Sequence, residues 1–251
     1  MKTSIIRSKN KLIAAAIWIA IWQLASMIIN QPLFLPSPMQ TLAALFELSK
    51  TSAFYFSVLA TLLRVLSGLI LSILLGISLG IASSKYNWLT IFLEPLVSII
   101  KSVPVVSFIF LVLLYVKSSF VPVVVCVLLC FPVMYTNTQK GMLSIDKKLV
   151  EMAKLHKVSD KKILTHIKIP SILHYILSGV LICVGFSWKS VVTAEVLSSP
   201  LHSIGYKIYT TKLYLNIPDL FAWTLVIVLL SIIIEKFTGS LFKNSKWHIG
   251  G

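Results

Sequence analysis

Four charged side chains stand where charge is expensive: Arg64, Lys101, Lys189 and Glu195 fall inside long apolar runs. At a bilayer centre each costs roughly 2.5–3.5 kcal/mol on insertion scales, so they must face protein or water rather than lipid. The chemistry open to them is electrostatic. Lys101 and Lys189 can attract a small anion. Lys189 and Glu195 are six positions apart, about 240° around a helix, so they cannot pair on one face and need partners from elsewhere. Arg64 and Lys189 each lie about seven residues from the outer end of their runs, roughly 10 Å deep. A long side chain there either snorkels to the interface or lines a path, and the sequence leaves both readings open. Covalent chemistry has no foothold. His156, His166 and His174 cluster in or beside one polar loop, with no serine, aspartate or metal-ligand set converging on them. Cys126, Cys130 and Cys183 all sit in apolar runs, match no zinc or redox spacing, and read as buried thiols. The chain therefore reads as no enzyme and as holding no metal.

The elements that carry these residues are apolar runs at roughly 12–29, 57–83, 89–116, 120–137, 172–196 and 217–240. About 20 residues of helix cross the hydrocarbon, so six spans are expected within a single domain over residues 1–251. Composition agrees: charged residues are 12% of the chain and hydrophobic residues 57%, with mean hydropathy +0.91. A soluble chain of 251 residues cannot hide that much apolar surface and keep a charged exterior. The net charge of +15 is a topology signal and does not mark a nucleic-acid-binding protein. Six spans put both termini on one side with Lys2, Arg7, Lys9, Lys11, Lys85, the lysines from Lys140 to Lys168, and Lys236, Lys243 and Lys246. Only Lys50, Lys117, Lys207 and Lys212 fall on the other. The positive-inside rule makes the first side cytoplasmic, and its basic face also suits anionic lipid headgroups. The first run is too long for a cleaved signal core, contains Trp18 and Trp22, and lacks a clear cleavage site, so a retained helix is expected.

Two features organise the spans. Gly68, Ser72, Gly76 and Gly80 recur every four residues, a stripe along which a neighbouring helix can approach closely. The third run is interrupted by Glu94-Pro95 and by Pro104, with Lys101 beside the second break. Proline at such depth is tolerated in a protein interior or a water cavity but not against lipid. That segment either lines a pathway or is a kinked helix whose lysine reaches a carbonyl. Leu35-Pro-Ser-Pro38 forbids continued helix, and Met39–Lys50 then reads as a short amphipathic segment at the interface.

The long cytoplasmic loop, 140–170, is the most informative stretch. Leu149–Leu155 can form one short helix; Ser159-Asp160 can cap a second from Lys161 to Ile169, with Ile163, Leu164 and Ile167 on one apolar face. Pro170 is expected to end that helix and start the next span. Such a pair across the mouth of the bundle is a docking surface, or else a solvated basic loop with incidental helicity. Its spacing resembles the EAA loop of permease subunits of ABC importers. Glu151, Met152 and Ala153 stand at the Glu-Ala-Ala places, Ile167, Ile169 and Pro170 at Ile-x-Leu-Pro, and Lys157 where the glycine belongs. Lysine lacks glycine's ease at positive φ, so a differently drawn turn is expected there. Leu35-Pro-Ser-Pro38, Thr61-Leu-Leu-Arg-Val-Leu-Ser-Gly68, Glu94-Pro95 through Pro104, Phe131-Pro132 with Asn137-Thr138, and Trp188–Glu195 followed by Gly205 narrow the resemblance to nitrate/sulfonate/taurine/bicarbonate-type permeases. Val116-Lys117 departs from the Phe-Gly pair usual in that group.

The resemblance implies an all-α, six-helix permease of the type I importer (MetI-like) architecture in a bacterial cytoplasmic membrane, with both termini cytoplasmic. Its implied partners are a second permease copy, two cytoplasmic ATPase subunits holding ATP and Mg, and an extracytoplasmic substrate-binding protein. One independent point agrees: the chain has no Gly-x-x-x-x-Gly-Lys-Ser/Thr loop. Gly185-Phe-Ser-Trp-Lys189-Ser190 lacks the glycine before lysine and lies within a span. ATP must then be hydrolysed elsewhere and its work delivered through the 140–170 loop. Glu151, near the start of its helix, suits the macrodipole and can also pair with a basic residue of the ATPase. The implied cargo is a small oxyanion; the same resemblance extends to carriers of thiamine precursors and other heterocycles. A stand-alone secondary transporter or channel is the alternative of a different class, but deep acidic residues and a repeat pattern are missing from the reading above.

Overall fold

The structure, a computed structural model, describes residues 2–244, with side chains from 13 to 240. Lys246 lies outside the described residues, and the side chains of Lys2, Arg7, Lys9, Lys11 and Lys243 outside the described side chains. Within these bounds the chain is helical: α1 (Lys2–Ile29), α2 (Pro38–Ser49), α3 (Ser52–Lys85), α4 (Asn87–Ser102), α5 (Val105–Leu113), α6 (Val121–Leu143), α7 (Lys147–Leu155), α8 (Asp160–Ile163), a π turn (Leu164–Lys168), α9 (Ile169–Ser198), α10 (Ile204–Leu213) and α11 (Ile217–Asn244).

Four helical stretches are long and apolar enough to cross a bilayer: Ser52–Lys85, Val121–Leu143, Asp160–Ser198 and Ile217–Ser240. A fifth crossing exists if α4 and α5 count as one span; Ile13–Ile29 is apolar but shorter. Several helices outrun the expected apolar runs because their ends carry serine, lysine and threonine. Hydropathy registers only the lipid-facing length, while the backbone ladder continues into water.

The core is a three-helix slab in which α6 packs along α3 on one side and α9 on the other. Small residues set the first contact. A side chain at Gly68 would meet Cys126, at Gly76 Met134, and at Gly80 Thr138. Ser72, in the same register, is fully buried and donates to the Gly68 carbonyl at 2.6 Å. Cys126, Cys130 and Cys183 are buried free thiols, and Cys130 and Cys183 bond each other's carbonyls across the α6–α9 seam. Around the slab, α10 packs on α9 and α11, and α2 lies against α11. Ser37 and Gln40 form a full capping box at the start of α2. At the far end of α1, Trp22 bonds the Pro36 carbonyl at 3.0 Å and stacks on Phe221.

The interruption expected in the run 89–116 falls at Pro104 alone, since Pro95 lies inside α4: α4 and α5 meet at 105°. Pro104 has no N–H to continue the ladder, and its ring drives Val103 into an extended conformation (φ −81°, ψ 134°). One expectation requires correction: the second loop helix is not separate. Helix continues from Asp160 to Ser198, and Pro170 sits in its interior. The π turn Leu164–Lys168 ends two residues before the proline and widens the ladder where an α-turn would clash with the proline ring. The expected apolar face is not buried as a whole: Ile163 is buried, whereas Leu164 is exposed.

Candidate functional site

At the loop end of the bundle, α7 starts two residues earlier than its hydrophobic pattern suggests. Asp146 accepts from the Lys148 backbone N–H at 2.8 Å and so holds the N-terminus. Glu151 is therefore mid-helix and exposed, away from the positive end of the dipole. Ala153 faces inward at 8% exposure, while Met152 (51%) and Leu155 (83%) point away from the bundle. The Val158 N–H reaches the Ala153 carbonyl at 3.0 Å and the Lys157 N–H the Lys154 carbonyl at 2.9 Å. That is a Schellman closure, and Lys157 takes its left-handed position at φ 55°. The turn expected to be redrawn around a lysine is drawn as glycine would draw it, with the strain carried by Lys157. Ile167 and Pro170 are half-buried, and Ile169 is exposed at the junction with the long helix.

At the opposite end, Arg64 and Glu195 find each other. Arg64 Nη1 lies 2.9 Å from Glu195 Oε1, and Glu195 is fully buried. Thr61 Oγ1 donates to Glu195 at 2.9 Å and accepts the Ile204 N–H at 3.0 Å; the Gly205 N–H reaches Glu195 Oε2 at 3.2 Å. Gly205 must lack a side chain, because a Cβ there would collide with Glu195 and lie 2.6 Å from the Val196 nitrogen. Arg64 also donates to the Leu201 and His202 carbonyls. It thus pins a loop in which Ser199 and His202 both adopt positive φ. Arg64 is tied to a carboxylate on another helix, a partner out of reach of any argument confined to one helix.

Lys101 and Lys189 are brought to neither group. Lys101 opens into a cavity of about 320 Å³ between α4 and α6, with Thr90, Glu94, Val97, Ser98, Tyr135, Thr136 and Gln139. Pro104, one turn on, makes the bend that ends this face. Lys189 opens into a groove of about 410 Å³ shared by Phe186 and by Glu235 and Thr238 of α11. Sequence reasoning missed Glu94 and Glu235 as membrane-embedded charges. Glu94 was legible, since it lies two helical turns from Lys101. Glu235 carries no such signal, because it shares a groove with Lys189 only through the packing of α9 and α11. Among the described residues no cluster of histidine, cysteine and carboxylate suited to a metal ion occurs.

Comparison with known proteins fits this geometry. Residues 68–243 match the model of the binding-protein-dependent transport system inner membrane component family. Over 241 residues the chain is 25% identical to the putative aliphatic sulfonates transport permease protein SsuC of Bacillus subtilis, covering 94% of this chain and 87% of that one. It is 24% identical to the taurine transport system permease protein TauC of Escherichia coli, covering 90% and 85%. To the bicarbonate transport system permease protein CmpB of Synechococcus elongatus it is also 24% identical, covering 74% and 68%. Among solved structures, the MetNI methionine ABC transporter in inward facing conformations shares the fold at a TM-score of 0.53 and 12% identity, over 75% of this chain and 92% of that one. By this match over residues 68–243 the chain, a helical slab with a sharp bend between α4 and α5, belongs to the binding-protein-dependent inner membrane components: it is a permease subunit of an ABC importer, a transport component and not an enzyme.

Proposed function

We propose that two copies of this chain form the translocation path of an ATP-driven importer for a small oxyanion such as a sulfonate, taurine, nitrate or bicarbonate. The observation that carries the reading is the face of α7 and the turn after it. Leu149, Met152, Leu155 and Val158 are exposed at the loop end of the bundle, among lysines and outside the apolar spans. Exposed apolar side chains in such a loop suit a protein contact. An ATPase subunit seated on that face would move it when nucleotide closes the ATPase pair. Ala153 and Ile163 are buried and α7 packs on α8, so the displacement would pass through the π turn to α9.

The homodimer rests on a second argument. Glu94, Lys101, Lys189 and Glu235 are all exposed on the single chain. At these depths they must face water or protein. A second copy lining a shared aqueous path removes them from lipid, with the delivery protein at the Arg64 end and the termini at the loop end. The cargo reading follows from Lys101 and Lys189 together with the cargoes named for the sulfonate, taurine and bicarbonate relatives.

Co-purification and reconstitution test it together. A stoichiometric ATPase should co-purify, and liposome uptake should require ATP and a binding protein. Robust uptake driven by an ion gradient through the purified chain alone would overturn the reading in favour of a stand-alone carrier.

A further inference from the structure

Between α2 and α11 runs an apolar groove of about 540 Å³. Leu42, Phe46 and Ser49 share one face of α2 and form one wall; Leu229, Leu230 and Ile233 of α11 form the other. The Ser49 hydroxyl is already satisfied by the Phe46 carbonyl at 2.7 Å, and among the described residues no charged side chain lines the walls. Phe54, also on the groove, packs on Trp223 at 5.1 Å. From there the groove follows α11 to Ile233, ten residues or about 15 Å further along the helix. That is half of the ~30 Å hydrocarbon core. A charge stands at its edge: the Lys50 ammonium lies 4.4 Å from the centre of the Phe46 ring. A cationic mouth on an apolar channel half a bilayer deep has the outline of one leaflet's lipid.

The face of α11 decides between lipid and a second copy of the chain as occupant. Leu229, Leu230 and Ile233 lie about 120–160° around the helix from Glu235, which shares the other groove with Lys189. A second copy placed to remove Lys189 and Glu235 from lipid leaves this side of α11 to the membrane. We propose that the groove seats an acyl chain of a membrane phospholipid whose phosphate sits at Lys50. Glu47 then sets the headgroup, because its Oε1 lies 2.7 Å from Lys50 Nζ. A net anionic headgroup is drawn to the lysine and repelled by the carboxylate. One that carries an ammonium beside its phosphate satisfies both. The fitting partner is a zwitterionic phospholipid such as phosphatidylethanolamine, held by α2 and α11 together. The inference stands or falls independently of the cargo and of the ATPase contact.

The test uses the full permease assembly, extracted in mild detergent and stripped of weakly held lipid. Native mass spectrometry counts the lipid that stays. Titration with palmitoyl-oleoyl phosphatidylethanolamine, or with the phosphatidylglycerol of the same chains, then gives relative affinities. The parent should hold one phosphatidylethanolamine more per copy than Leu229→Trp, whose indole fills the groove. Phosphatidylethanolamine should bind severalfold tighter than phosphatidylglycerol. Glu47→Gln should abolish that margin, and Lys50→Met should weaken both lipids severalfold. Both of these side chains are exposed, so the two variants carry the test if Leu229→Trp fails to assemble. Equal lipid counts in the parent and Leu229→Trp, tighter binding of phosphatidylglycerol, or unchanged affinities in Glu47→Gln and Lys50→Met overturn the proposal. So does loss of the dimer in Leu229→Trp with its lipid count intact, which gives the groove to a second copy.

Discussion

Arg64 Nη1 donates to Glu195 Oε1 across 2.9 Å, tying α3 to α9 over a sequence separation of 131 residues. Thr61 and the Gly205 N–H complete the carboxylate's shell, so the charge is buried with its partners in place. Removing one member of such a pair strands the other, at a cost of about 3–5 kcal/mol, whereas removing both costs less. Arg64→Met and Glu195→Leu should each lower the melting temperature of the purified permease sharply. The double variant should lie well above the sum of the two losses, as read in a double-mutant cycle. Additive losses would mean that the pair is not coupled.

The α3–α6 seam should be intolerant of bulk. At Gly76 a side chain would meet Met134 and the backbone of Tyr135 at 3.0 Å, and backbone cannot step aside. Gly76→Val should cost about 1–3 kcal/mol by overpacking. Gly239, with nothing within 4 Å of an added Cβ, provides the control: Gly239→Ala should leave the melting temperature within a degree or two of the parent.

Lys157 stands at φ 55° in the closure of α7. Left-handed backbone costs a residue with a side chain about 1–2 kcal/mol relative to glycine. Lys157→Gly should therefore stabilise the permease by about 1 kcal/mol, while Lys157→Val should destabilise it. A thermal ramp of the three proteins in one detergent decides this, and a neutral or harmful glycine would count against the turn geometry.

Glu151 and Ala153 separate coupling from folding. Glu151 is exposed, so Glu151→Lys should insert and melt normally while substrate-stimulated uptake falls at least tenfold. Ala153 is 8% exposed and faces the bundle, so a bulky Ala153→Phe should tilt α7 and give the same loss. Normal uptake in both variants would remove α7 from the ATPase contact.

The local chemistry of this chain was legible in its sequence wherever a decision is made within one helix or turn. Proline at 104 forces a break because a missing N–H is a property of the residue itself, and the glycine repeat from Gly68 to Gly80 marks a seam because every fourth residue shares a face. The EAA-like spacing from Glu151 to Pro170 placed the loop between two spans in the same way. Tertiary structure alone decided the rest. That Arg64 meets Glu195, that Lys101 shares a cavity with Tyr135, and that Lys189 faces Glu235 depend on which helices lie side by side. Helix pairing is set by the summed fit of many small contacts, and no spacing along a single helix encodes it. The π turn before Pro170 belongs to the same class. Whether a proline ends a helix or is absorbed by a widened turn depends on whether the packing on either side holds the helix continuous.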